Sequence, residues 1–220
     1  MEDSFYEIEY KFTSELNEIE GNRYITTYSG NVFETNDFDE GKKLIGKISL
    51  KLILLSLATN QGYSSYEIFD TEGDVYEIGQ EIFDFKSDEI KEDIRMFYEE
   101  EIFSPDICII QRIEIIEKYR GQGLGSKIIK DIYNRFASCC GLFVLKVFPL
   151  QFDSNFKKLK NTAWGRKLSL EQLGVDKEGA FYRLKAYQQK LGFNHIEGYE
   201  ELMFINPYLI NGNLDAVKIE

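Results

Sequence analysis

Histidine is almost missing from this sequence: His195 is the only one among 220 residues. A metal site built on several imidazoles, and the common zinc spacings, are therefore excluded within one chain. Any Ser-His-Asp or Cys-His arrangement would have to use His195. No nucleophile signature surrounds it, so it is expected at a loop or strand end. Cysteine is scarce too. Cys108, Cys139 and Cys140 make an odd count with no CxxC pair, which gives no disulfide framework and points to a reducing, cytoplasmic setting. Three prolines and 17 glycines leave no Pro-rich or Gly-rich linker. Long apolar runs are lacking as well. The most apolar stretch, Ile48 to Ala58, contains Lys51 and is far short of the roughly 20 residues of a membrane span, so it reads as a buried strand. Met1 to Lys11 is acidic and has no secretory layout. No membrane partner is expected.

What is present is a foldable, acidic chain. Apolar residues make up 43% and aromatics 15%, which excludes a disordered or fibrous protein. The length fits one domain, with or without insertions. A formal net charge of −12 disfavours nucleic acid and anionic membrane, both polyanions. That charge is unevenly spread. Residues 1–106 hold 26 acidic and 9 basic side chains, whereas residues 107–220 hold 12 acidic and 17 basic. Two readings stand side by side: an acidic half that attracts a cation beside a basic half that holds an anion, or simply a solubilising acidic surface.

Along the chain, Ser4 to Phe12 reads as a strand, Asn31 to Glu40 as turn-rich, and Leu44 to Leu57 as a strand covered on both sides. Gly62 to Thr71 is expected to contain a short strand, and Asp88 to Ile102 an amphipathic helix ended by Pro105. Ile107 to Ile116 is β-rich. A helix opens at Gly123 or Gly125 with an apolar stripe from Leu124 to Phe136. Leu142 to Phe148 is a buried strand, Lys177 to Leu191 a helix, and His195 to Ile205 a strand. This β-α-β-α-β order predicts an α/β or mixed α+β sheet with helices packed on it. Leu150 to Asp176, with Lys157, Lys158, Lys160, Arg166, Lys167 and the only tryptophan, Trp164, is long for a connection. It reads either as a lid or binding loop, or as a surface insertion anchored by one aromatic.

The informative segment is Tyr119-Arg120-Gly121-Gln122-Gly123-Leu124-Gly125-Ser126-Lys127, between a strand and a helix. Closely spaced glycines let the backbone approach a bulky anion, and the N–H groups of the helix's first turn point at it. A Walker A loop would need Gly-Lys-Ser/Thr, but Ser126 separates Gly125 from Lys127. A dinucleotide fingerprint would need GxGxxG, but these glycines run Gly121-x-Gly123-x-Gly125.

Arg120-x-x-Gly123-x-Gly125 after an apolar strand resembles the acetyl-CoA motif of the GNAT superfamily of N-acetyltransferases. Leu142 to Phe148 looks like that family's next strand, and Tyr187-Gln188-Gln189-Lys190-Leu191-Gly192-Phe193 like its helix ending in "LGF". The resemblance covers residues 107–149 and 177–205. Residues 150–176 stand as an insertion, and residues 1–106 as a variable, acidic acceptor side of one domain. It implies a twisted mixed sheet that splays open after the strand at Ile107 to Ile116, flanked by helices. It further implies acetyl-CoA as cosubstrate, with no metal. Gly121, Gln122, Gly123, Leu124, Gly125 and Ser126 would cradle its pyrophosphate, with Arg120 and Lys190 at the same site. Ile113 and Ile115 would line the pantetheine arm.

In that family an amine attacks the thioester directly, so a base must take the ammonium proton and an acid can protonate the leaving thiolate. Glu114 is the base candidate on the cofactor strand, although a salt bridge to Arg112 is the other reading. Carboxylates that some members carry at Gln111 and Arg112 are lacking. The family's acidic tyrosine falls on Gln188, so Tyr187, one residue earlier, is the acid candidate. The acceptor implied is a small-molecule or protein amine, cations first. A catalytically inactive acyl-CoA-binding module of the same fold is the alternative. The oligomeric state is left open.

Overall fold

The computed structural model describes residues 5–13, 21–35, 41–154 and 156–219. Three antiparallel strands come first: β1 (Phe5–Phe12), β2 (Ile25–Thr35) and β3 (Lys43–Ile53). A helical excursion follows, with α1 (Leu55–Asn60), α2 (Ser65–Phe69), α3 (Gly73–Ile82), a short pair β4 (Phe83–Asp84) and β5 (Glu89–Ile90), and α4 (Glu92–Phe97). The chain re-enters the sheet as β6 (Ile107–Ile115), antiparallel to β3, then crosses through α5 (Leu124–Phe136) to β7 (Leu142–Lys146), parallel to β6. After α6 (Phe156–Lys160), α7 (Ala163–Leu168) and α8 (Lys177–Lys190) it returns as β8 (Leu202–Ile205), antiparallel to β7, and ends with α9 (Gly212–Asp215). The result is a mixed α/β fold around a six-stranded mixed sheet in the order β1-β2-β3-β6-β7-β8. No helix among the described residues is long and apolar enough to cross a membrane.

Both faces of the sheet are covered, which explains why its central strands are apolar without alternation. One core packs Leu124, Ile128, Ile129, Ile132 and Phe136 of α5, a stripe at helical spacing, on Ile48, Leu50, Cys108, Ile110 and Phe143. The other packs Leu55, Ile68, Phe69, Val75, Ile78 and Ile82 of α1 to α3 on Ile53, Ile107, Ile109, Val144 and Phe204. Each fully buried Ile or Leu contributes about 1.5–3 kcal/mol.

Several boundaries differ from the expectation. The strand expected within 62–71 is helix α2. Ser64 caps it and Glu67 reaches back to the Ser64 amide at 2.8 Å, a capping box written in the sequence as Ser-x-x-Glu. The helix expected over 88–102 is confined to Glu92–Phe97, because Asp88, Glu99 and Glu100 adopt left-handed backbone conformations. Asp88 instead accepts from the Ser65 amide at 2.7 Å, tying that corner to α2. The strand from Leu44 stops at Ile53, and α1 takes over at Leu55. Asn31 to Thr35 belongs to β2, and the rest of the expected turn, 36–40, lies outside the described residues. The last strand shrinks to Leu202–Ile205, with an isolated bridge at Asn194, so His195 sits in a loop as expected.

Candidate functional site

The site begins with a mismatch in strand length. β6 pairs with β7 from Ile107↔Leu142 to Ile110↔Leu145. β7 then ends at Lys146, whereas β6 runs on to Ile115, still bonded to β3 on its other edge. Among the described residues, the edge of Gln111 to Ile115 that faces away from β3 therefore has no strand partner, and the two strands part there. A bulge sits at the parting point: Leu50 pairs with Ile110 and Ser49 with Arg112, so Gln111 is the extra residue. The bulge reverses the alternation. Ile113 and Ile115 join the α5 side with Cys108 and Ile110, and Arg112 and Glu114 point to the opposite face.

A largely apolar cleft of about 780 Å³ opens between the parted strands. Ile113 and Ile115 line it from β6, Gly121, Gly123 and Gly125 from the glycine turn, Leu145 from β7, and Leu184, Tyr187 and Gln188 from α8. The segment 150–176 closes one side with Leu150, Leu170 and Leu173. This long connection is thus a wall of the cleft.

The turn itself needs its glycines. Gly121 (φ 72°) and Gly123 (φ 80°) are left-handed, and Gly123 is the residue that caps α5. Gly123 has no side chain with which to cap this helix end. The Gly123 carbonyl takes the amides of Ser126 and Lys127, at 3.0 and 3.1 Å. The preceding amides of Leu124 and Gly125 have no intrahelical acceptor, as the first turn of any helix requires. The macrodipole of this 13-residue helix adds partial positive charge there. An uncapped helix start opening on a cleft is an anion site in form.

The side chains around it have settled roles. Tyr119 is buried; its hydroxyl accepts from the Lys43 ammonium at 2.8 Å and donates to Glu34. Arg120, expected as an anion ligand, spends its guanidinium on carbonyls instead: Nε donates to Ile115 at 2.9 Å and Nη2 to Leu168. It pins the 150–176 segment to the end of β6. Tyr187 reaches the first turn of α5, with its hydroxyl 3.0 Å from Ser126 Oγ. Burial raises its phenol above the ordinary value, and the Ser126 hydrogen bond opposes this more weakly. A Cβ on Gly125 would stand 2.8 Å from that hydroxyl, so the glycine makes room for Tyr187. Gln122 bonds the Lys118 carbonyl at 2.7 Å. Lys190 corrects the expectation: it is exposed at the end of α8 and does not line the cleft.

Of the two readings of Glu114, the structure shows the pairing with Arg112. It is buried on the opposite face, where Oε1 accepts from Arg112 at 3.0 Å and Oε2 from the Trp164 indole N–H at 2.6 Å. Lys47 stands over the Trp164 ring at 4.7 Å, and Arg112 also pairs with Asp153. Glu114 is an anchor for the 150–176 segment rather than a free base facing the cleft. Glu114→Leu is expected to release Trp164, seen as a red shift of the single tryptophan's emission and faster proteolysis within 150–176. Unchanged emission and cleavage would show that this bond holds nothing.

Gln111, read in the sequence only as lacking a carboxylate, and Asp74, which the sequence reading passed over, meet at the bulge. Gln111 lines the cleft at the bulge and links it to the far face, accepting from Ser49 at 2.9 Å and donating to Asp74. Asp74 in turn pairs at 3.0 Å with the buried Lys51, which also holds Glu72. A bulge is not legible in one strand's sequence, whereas α3, which the sequence reading passed over, carries a signal: Val75, Ile78, Gly79 and Ile82 recur at helical spacing. No group of three or more His, Cys, Asp or Glu among the described residues could hold a metal ion. Compared with family models, with curated proteins and with solved structures, the chain matches none of them.

Proposed function

We propose that the protein is an acetyl-CoA-dependent N-acetyltransferase of the GNAT type, acting on a cationic primary amine. The observation that carries this is the uncapped start of α5 opening on a cleft bounded by the unpaired edge of β6. Pyrophosphate suits the amides of 122–126. The pantetheine arm, an extended chain with amide groups, suits a free strand edge, which it extends like an added strand. An amide N–H of that edge then polarises the thioester carbonyl.

In the reaction the neutral amine nitrogen attacks the carbonyl carbon, a C–N bond forms, the C–S bond breaks, the nitrogen releases one proton to solvent as it becomes an amide, and the thiolate takes one. Tyr187 is the donor that reaches into the cleft. The amine must first lose its own proton, since alkyl ammonium groups titrate near about 10.4. Both Glu114 oxygens are engaged, and so are both of Asp74, by Lys51 and Gln111, so water is the acceptor assigned to that proton. Release of free CoA, followed across an amine panel with polyamines, aminoglycosides and lysine peptides first, tests the reading. Release no faster than without protein sinks the catalytic claim.

The engaged Glu114 favours a second reading, an acyl-CoA-binding module without turnover. Thermal shift separates the two, because ligand at 100 times its Kd stabilises by about 2.7 kcal/mol. A shift without turnover selects the second reading, and no shift removes both.

A further inference from the structure

The two ends of the six-stranded sheet are finished differently. At one end β8 is four residues long, and Asn194 closes its outer edge: the Asn194 amide donates to the Phe204 carbonyl at 2.7 Å, and the Phe204 amide donates back at 2.9 Å. At the other end β1 is eight residues long and free of proline and glycine. Among the described residues, β2 is its only strand partner. The carbonyls of Phe5 and Lys11 turn toward β2, where the hydroxyls of Thr35 and Ser29 donate to them at 3.4 Å. Alternation along the strand then turns the backbone groups of Tyr6, Ile8, Tyr10 and Phe12 to the outer edge. Natural proteins seldom leave an edge of this length bare. Phe12 and Tyr6 beside it are 61% and 37% exposed.

We infer that β1 pairs antiparallel with β1 of a second copy across a two-fold axis, joining two sheets into one. An axis that sets two such edges side by side stands perpendicular to the sheet, so residues that meet lie on the same face. Tyr6, Ile8, Tyr10 and Phe12 share the α5 face, where Ile8 and Tyr10 pack on the core. Glu7, Glu9 and Lys11 share the other, with the Lys42 ammonium 2.7 Å from both carboxylates. One register satisfies both faces. With Glu9 on the axis, Ile8 meets Tyr10, Glu7 meets Lys11 and Tyr6 meets Phe12, each pair occurring twice. Lys11, which has no ion pair among the described residues of its own chain, gains a carboxylate from the copy. The charges of Glu7, Glu9, Lys11 and Lys42 cancel, so two chains of net charge −12 meet along a neutral strip. Other registers fit less well. With Ile8 on the axis Glu7 faces Glu9 twice, and with Tyr10 on the axis the pairing shrinks to residues 8–12.

A single strand pair is a small interface, so the dimer is sought by sedimentation velocity at protein concentrations up to about 200 µM. Wild type is expected to reach twice the mass of one chain. Lys11→Glu and Glu7→Lys, both at exposed positions, each set two pairs of like charges across the axis. Each is expected to weaken the dimer at least about 10-fold. Mixed in equal amounts, the two variants are expected to recover it as a heterodimer, since every altered charge of one chain then faces its opposite on the other. Loss of folding cannot produce that recovery. Wild type that sediments as one chain throughout overturns the assignment, as do variants that dimerise like wild type. A mixture that stays monomeric overturns it too, because the register demands the rescue.

Discussion

Gly123→Asp is expected to abolish CoA binding while leaving the protein folded. The position is left-handed at φ 80°, where aspartate is among the better tolerated residues, and a Cβ there meets nothing within 4 Å. Left-handed backbone costs a non-glycine residue about 1–2 kcal/mol. The new side chain returns part of this, because an aspartate at the residue capping a helix accepts from the amides of its first turn. That gain is what damages binding. The amides of Leu124 and Gly125 are the donors proposed for the pyrophosphate, and the aspartate both occupies them and brings a like charge. Two unit charges at ~4 Å and an effective dielectric of ~20 repel by about 4 kcal/mol, close to a thousandfold in affinity. Calorimetric titration with CoA, beside a circular dichroism spectrum, measures the effect. Wild-type affinity in a folded Gly123→Asp protein would refute the placement of the anion.

Gly141→Ala is expected to be the most damaging small change to stability. Gly141 immediately precedes β7, and its amide donates to the Asp106 carbonyl at 2.8 Å, just ahead of β6. A Cβ at this position would lie inside the contact distance of the Ser104 backbone carbonyl, which has no flexible end to swing away. Relief requires the two chain segments to separate where the parallel pairing Ile107↔Leu142 begins. Overpacking that moves backbone costs about 3 kcal/mol. For a chain of this size that corresponds to a melting temperature lower by about 6–12 °C. A thermal scan within a degree of wild type would mean that the crowding is absent.

The second half of the chain was legible because its signals are local. The α5 stripe repeats at 3.6 residues, the glycine turn is contiguous, and the stretch between Gly141 and Pro149 that holds β7 is apolar but for Lys146. The first half was harder for physical reasons. Short helices such as α2 and α4 have too few turns for periodicity to outvote the β-like residues Tyr66, Ile68 and Phe69 or the flanking acids. Of the site, the turn and the apolar wall of Ile113 and Ile115 could be foreseen. Who pairs with whom could not. Glu114 and Arg120 carry the residue types expected of a base and an anion ligand, but the partners that claim them, Trp164 and the Leu168 carbonyl, are 50 and 48 residues away. Gln188 was visible in the sequence only as the place where the resemblance expects a tyrosine, and the structure sets it in the wall of the cleft.

The seam between β3 and β6 carries a last consequence. Eight residue pairs, from Gly46↔Ile115 to Ile53↔Ile107, join the acidic half of the chain to the basic half. A fragment beginning at residue 107 would expose that whole flank of β6 as unsatisfied backbone, a template for sticking to its own copies. The two halves share one sheet, with the excess of carboxylates in one and the glycine turn in the other, and neither is expected to fold when produced singly.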